Sequence, residues 1–154
     1  MKIRKFEEKD LEQAIELCRE IREHHREVLN GYFMPLDDNF EKRALLASLK
    51  DENLLVWVAD NEGEIVGLLI SEKRMLPYLE QQSRVNVETL GVKKSFRKQG
   101  IGRKMMDVLY EYCQDNGVAE IKLGVFNKNT SAYKFYEKYG FKPLEQRMNL
   151  FIKE

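Results

Sequence analysis

Six consecutive residues, Arg97-Lys98-Gln99-Gly100-Ile101-Gly102, carry the most legible chemistry in this chain. Two glycines one residue apart let backbone come close to a ligand. Arg97 and Lys98, with Lys93, Lys94, Arg103 and Lys104 around them, give that ligand a negative charge to bring. An extended apolar run, Val85 to Val92, leads into the loop, and a helical pattern follows directly. A strand that delivers a glycine-bearing loop to a helix start makes an anion site. Free N–H groups and the positive end of the helix dipole point at the same spot there.

The elements that must position this loop follow from local patterning. Ile3 to Phe6 reads as a short strand. Asp10 with Gln13 reads as a capping box for a helix running to about Leu29, with Leu11, Ala14, Ile15, Cys18 and Ile21 at helical spacing. Asn30-Gly31 ends it. Tyr32 to Leu36 is apolar and is either a core plug or a binding lip. Asp38 with Glu41 reads as a second capping box, for a helix to about Leu49. Leu54 to Ala59 and Glu64 to Ser71 make a hairpin around the turn Asp60-Asn61-Glu62-Gly63. Lys73 to Ser83 is a polar loop broken by Pro77.

Beyond the central strand, Gly100 to Asn116 is a helix closed by Gly117, and Ile121 to Val125 is a strand. Strand, helix, strand in this order is a βαβ unit with its two strands parallel. Asn129 or Thr130 caps a last helix through Tyr139, closed by Gly140, and Leu144 to Ile152 is expected as a final strand. The pattern is α+β in a single domain spanning residues 1–154. A mixed, mostly antiparallel sheet carries a parallel pair, 85–92 with 121–125, and about four helices cover its faces.

Composition narrows the partners. The 154 residues hold 26 basic and 26 acidic groups, so no global field favours nucleic acid or an anionic membrane. Cys18 and Cys113 fall on apolar helix stripes and are expected as buried thiols. No CxxC or HExxH spacing points to a metal. The charged start, MKIRKFEEKD, has no apolar leader segment, and no run approaches a membrane span, so a reducing cytoplasm is expected.

Which phosphate ligand fits is decided by residues. A Walker loop needs GxxxxGK[ST], and neither Gly91 nor Gly100 begins one. A dinucleotide fingerprint needs a third glycine where Met105 stands. What remains is R-x-x-G-x-G, written by Arg97, Gly100 and Gly102. Here the chain resembles the GNAT superfamily of N-acetyltransferases. Leu90-x-Val92, four residues, then RKQGIG is similar to the family's acetyl-CoA strand and pyrophosphate loop. Asn129-x-x-Ala132-x-x-Phe135-Tyr136-x-x-x-Gly140-Phe141 is similar to its second block.

The resemblance implies a function and a set of sites. Acetyl would pass from acetyl-CoA to a primary amine, of a small molecule or a protein, by direct attack in a ternary complex. A CoA-binding module without turnover is the alternative. Backbone N–H groups of Lys98, Gln99, Gly100, Ile101, Gly102 and Arg103 would hold the pyrophosphate. Leu90, Gly91 and Val92 would face the acyl and pantetheine groups, with Gly91 and Gly124 either opening the cleft or marking a bulge and nothing. Asn129, Ala132, Phe135 and Tyr136 complete the cofactor set.

A lysine-like amine has a pKa of ~10.4, so only about one molecule in a thousand is neutral at pH 7.4. Glu88 is the candidate base, or else a substrate anchor. Tyr136 is the candidate acid for the departing thiolate, and a backbone N–H between Leu90 and Val92 the oxyanion donor. His24, His25, Asp37, Asp38 and Glu80 either border the acceptor or are plain surface. A homodimer is a family-level expectation. Nucleic acid, membrane and metal are not expected as partners.

Overall fold

Near-continuous apolar runs such as Leu54 to Ala59 and Ile65 to Ile70 demand cover on both faces of a sheet, because successive strand residues point to opposite sides. The computed structural model, which describes residues 1–30, 37–78, 80 and 82–152, meets that demand. Five strands lie in chain order across one sheet: β1 (Lys2–Lys5), β2 (Leu54–Asn61), β3 (Glu64–Met75), β4 (Ser83–Val92) and β5 (Glu120–Leu123). The first three pairings are antiparallel and β4 with β5 is parallel. Helices α1 (Leu11–Val28) and α2 (Asp38–Ser48) bury Ala14, Ile15, Cys18, Ile21 and Leu45 against Val56, Val58 and Leu68. Helix α3 (Ile101–Asp115) covers the other face, where the Trp57 and Tyr112 rings meet edge to face at 5.6 Å. Leu68 and Leu69, adjacent on β3, are both fully buried as a result. Each such side chain contributes about 1.5–3 kcal/mol relative to exposure.

Met1 to Gly124 form one unit, and Val125 to Glu154 a second that carries α4 (Thr130–Tyr139). Among the described residues no helix is long and apolar enough to cross a membrane.

Several local expectations are corrected. The Asp10–Gln13 capping box does not form. Asp10 accepts from Glu7 N–H at 2.9 Å and takes both terminal nitrogens of Arg4, at 2.7 and 2.8 Å. Gln13 instead ties α1 to the β2–β3 hairpin, donating to Gly63 O and accepting from Ile65 N–H. The second helix is capped by Asp37, whose carboxylate accepts from Phe40 N–H at 3.2 Å. Asp38 and Glu41 are drawn away by Arg19 and Arg22 of α1. Strand β3 runs on to Met75, so the polar loop is shorter than expected.

Leu144 to Ile152 carries no regular structure: its alternation suits a strand, but a strand exists only where a ladder forms, and none forms there. The segment Tyr32 to Leu36 lies outside the described residues. Cys18 and Cys113 are free and buried as expected.

Candidate active site

The site is built on β4. Its parallel ladder with β5 begins at Arg84–Glu120 and ends at Val87–Leu123, yet β4 continues to Val92. For its last five residues β4 therefore has a strand on one side only among the described residues. The break coincides with a bulge. Ile70 pairs with Thr89 and Ser71 with Val87, so Glu88 is the extra residue on β4. A bulge bends its strand and re-aims its side chain. Glu88 is exposed there, and its charge is felt at Arg74, which Glu72 grips at 2.5 Å.

Alternation then settles which amides face the open side. Lys93 N–H donates to Val66 O on β3 at 2.8 Å. Strand N–H groups alternate in direction, so those of Val92 and Leu90 point to the edge that β5 has left. Gly91 has a different environment. It pairs in regular register with Leu68, and a Cβ placed on it would overlap Cδ1 and Cγ1 of Ile21. The glycine admits α1 to the strand, and of the two readings offered for it the bulge is not at Gly91 but at Glu88. Gly124 lies just past the end of β5, and a Cβ there would meet nothing within 4 Å.

The chain leaves β4 through a one-turn 3-10 helix, Lys94–Phe96, and enters α3 through two residues with positive φ, Lys98 at 61° and Gly100 at 78°. Left-handed backbone is what glycine is for at 100, since space around its missing Cβ is open. Gly100 is also the N-cap, and having no side chain it supplies no cap to the first turn of α3. The start of α3 thus lacks the side-chain acceptor that its N-cap position would ordinarily provide. By contrast, Asp37 caps α2 and Asn129 caps α4.

The surrounding charge is divided. Lys94, Lys98 and Lys104 are exposed and form no ion pair among the described residues. Lys93 is bound to Glu64 at 2.7 Å, which raises its ammonium above the ordinary lysine range. Arg97 is turned inward: its Nε donates to Val92 O at 2.9 Å and its Nη2 lies 3.6 Å from Glu20. No sequence signal marks Glu20, because the contact joins residues more than seventy positions apart.

In the unit 125–154, Asn129 Oδ1 accepts from Ala132 N–H at 3.2 Å and starts α4. Tyr136 is flanked edge to face by Phe135 at 5.1 Å and Phe141 at 5.6 Å. Burial pushes its phenol up to about 12. Burial likewise pushes the Cys18 thiol up to about 12 and that of Cys113 up to about 11, so both stay protonated and inert. His24 and His25 are half-buried on α1, with His25 shifted down by burial and by its neighbour. Of the acidic residues considered for the acceptor side, Asp37 is used as a cap and Asp38 by two arginines, while Glu80 is exposed.

A strand that loses its neighbour beside an uncapped, glycine-started helix is a cradle for an extended molecule ending in phosphates. The fold and this cradle define a class, and comparison bears it out: residues 12–141 match the Acetyltransferase (GNAT) family. The chain belongs to that family, as its two sequence blocks led one to expect. It is 36% identical over 73 residues to N-alpha-acetyltransferase 50 of Danio rerio, covering 47% of this chain and 44% of that protein. The chain spans less than half the length of the curated relatives it matches. Among solved structures, a mutant of BH1408 protein from Bacillus halodurans superposes with a TM-score of 0.85 at 25% identity, covering 99% of this chain and 100% of that one. The aminoglycoside acetyltransferase meta-AAC0020, from an uncultured soil metagenomic sample, gives 0.72 at 25% identity, covering 99% and 95%.

Proposed function

We propose that this protein transfers acetyl from acetyl-CoA to a primary amine, as a soluble cytoplasmic enzyme working by direct attack in a ternary complex. The observation that carries the reading is the end of the β4–β5 ladder at Val87–Leu123 on the strand that leads, through the 94–96 turn, into an uncapped α3. Acetyl-CoA supplies an activated acyl group and a thiolate leaving group. The amides at the start of α3 fit its pyrophosphate, with the exposed Lys94, Lys98 and Lys104 nearby. Leu90 and Val92 N–H groups face the open side of β4 and suit a carbonyl oxygen gaining charge during attack.

Glu88, lifted out by the bulge, takes a proton from the incoming amine, directly or through water. Tyr136 holds the proton that the departing sulfur needs, and its raised phenol keeps that proton on at neutral pH. One relative is named an N-alpha-acetyltransferase and one neighbour an aminoglycoside acetyltransferase, which supports an amine acceptor for this chain, either a protein amine or a small molecule.

The test is release of CoA thiol over a panel of polyamines, aminoglycosides and N-terminal peptides. Turnover on at least one amine is expected. Tyr136→Phe and Glu88→Gln should each lower kcat by about 10²-fold or more. Tight acetyl-CoA binding without release on any amine would overturn the reading in favour of a CoA-binding module.

A further inference from the structure

Helix α1 belongs to the opposite end of the sequence from the phosphate loop, yet it reaches it. Glu20 Oε1 accepts from Lys94 N–H at 2.6 Å, the first amide of the 3-10 turn through which the chain leaves β4. The same carboxylate lies 3.6 Å from Arg97 Nη2, and Arg97 Nε closes back on Val92 O. The Arg97 side chain thus joins the end of β4 to α1, and Glu20 receives both ends of the Lys94–Arg97 turn.

We propose that Glu20 is a positioning residue for acetyl-CoA: it pins the loop between β4 and α3 so that the α3 amides are already arranged when the phosphates arrive. The inference rests on the acetyl-CoA reading above and adds a residue to it. The physical argument is preorganisation. A loop that must be ordered on binding subtracts that ordering cost from affinity, and a loop already held does not. The contact is charge-assisted on the acceptor side, which makes it stronger than a neutral one. Its existence also explains why a carboxylate is tolerated near a phosphate site. The guanidinium of Arg97 faces it.

A purely electrostatic role predicts the opposite sign, because removing a negative charge beside a phosphate site would tighten binding. Glu16, one turn earlier on α1, carries the same charge and makes none of these bonds among the described residues, so it serves as the control.

The experiment compares wild type, Glu20→Ala, Glu20→Gln and Glu16→Ala in three readouts: Kd for acetyl-CoA, kcat at saturating acetyl-CoA, and amide hydrogen exchange of residues 93–100 without ligand. Glu20→Ala should raise Kd about tenfold with kcat within about twofold of wild type, and should speed exchange in 93–100. Glu20→Gln keeps an acceptor for Lys94 N–H and should restore both Kd and exchange to near wild type, as Glu16→Ala should leave them. Unchanged exchange and Kd in Glu20→Ala would overturn the proposal, as would a glutamine variant no better than alanine. If wild type itself fails to bind acetyl-CoA, the functional reading falls. The exchange comparison still decides whether Glu20 pins the loop.

Discussion

Tyr136 and Asp10 show how one neighbour sets what a titratable group can do. Tyr136 stands between two aromatic rings, and burial holds its phenol near 12. The raised value keeps the proton bound at any pH below it. An acid with an ordinary tyrosine pKa of ~10 would begin to fail near pH 9. The expected outcome is a kcat that does not fall on account of this group up to pH 10, measured as a pH–rate profile at saturating substrates.

Asp10 is the reverse case. It is buried, and the Arg4 hydrogen bonds hold its carboxyl below the usual range despite desolvation. Its folded value lies below the unfolded one, so its contribution is present above about pH 4 and lost as pH falls through the folded value. Asp10→Ala leaves the Arg4 charge short of a partner on a side chain only 14% exposed, with Asp60 still present. A loss of about 2–3 kcal/mol is expected in urea unfolding at pH 7. That loss should shrink below pH 4.

At the scale of elements, α1 and β4 are fitted to each other at one point. Ile21 occupies the space where a Cβ on Gly91 would sit. Gly91→Ala should therefore cost about 1–3 kcal/mol in thermal or urea unfolding. Adding Ile21→Val, which removes one of the overlapping carbons, should recover part of the loss and make the pair non-additive. Gly124→Ala, with nothing within 4 Å, should be neutral within about 0.5 kcal/mol.

These contrasts mark what the sequence could and could not reveal. The Arg97–Gly102 loop was legible because its requirements are local: glycine where φ is positive, no side chain capping α3. The elements up to α4 were legible for the same reason, by period and turn chemistry. The caps of the first two helices were misread because Asp10, Asp38 and Glu41 are claimed by arginines on other elements, and sequence spacing cannot announce such a rival. The bulge at Glu88 was hidden because register belongs to two strands at once, so Glu88 could be proposed as a base but not as the extra residue of the ladder. Glu20 left no trace at all. Leu144 to Ile152 misled in the other direction, offering a strand pattern without a ladder.

Over the molecule as a whole, β4 lives two lives. Up to Val87 it is an interior strand, flanked on both sides. From Glu88 to Val92 it has, among the described residues, the unpaired margin of an edge. Edges of apolar strands are templates for pairing with other chains, and proteins ordinarily blunt them with charge, proline or cover. This one has a single charge, at the bulge, and beyond it runs Thr89-Leu90-Gly91-Val92.

On the acetyl-CoA reading proposed above, the half-strand must stay open to receive that ligand, so the usual defences are denied to it. Its guard is the occupant. The ligand-free chain should then be the form that associates, and saturating CoA should slow light-scattering growth at 37 °C by more than its effect on unfolding explains. A short polyamine of equal ionic strength should not. On this view the coenzyme serves the fold as a removable sixth strand, and its scarcity would be felt first as lost solubility of the protein and only later as lost turnover.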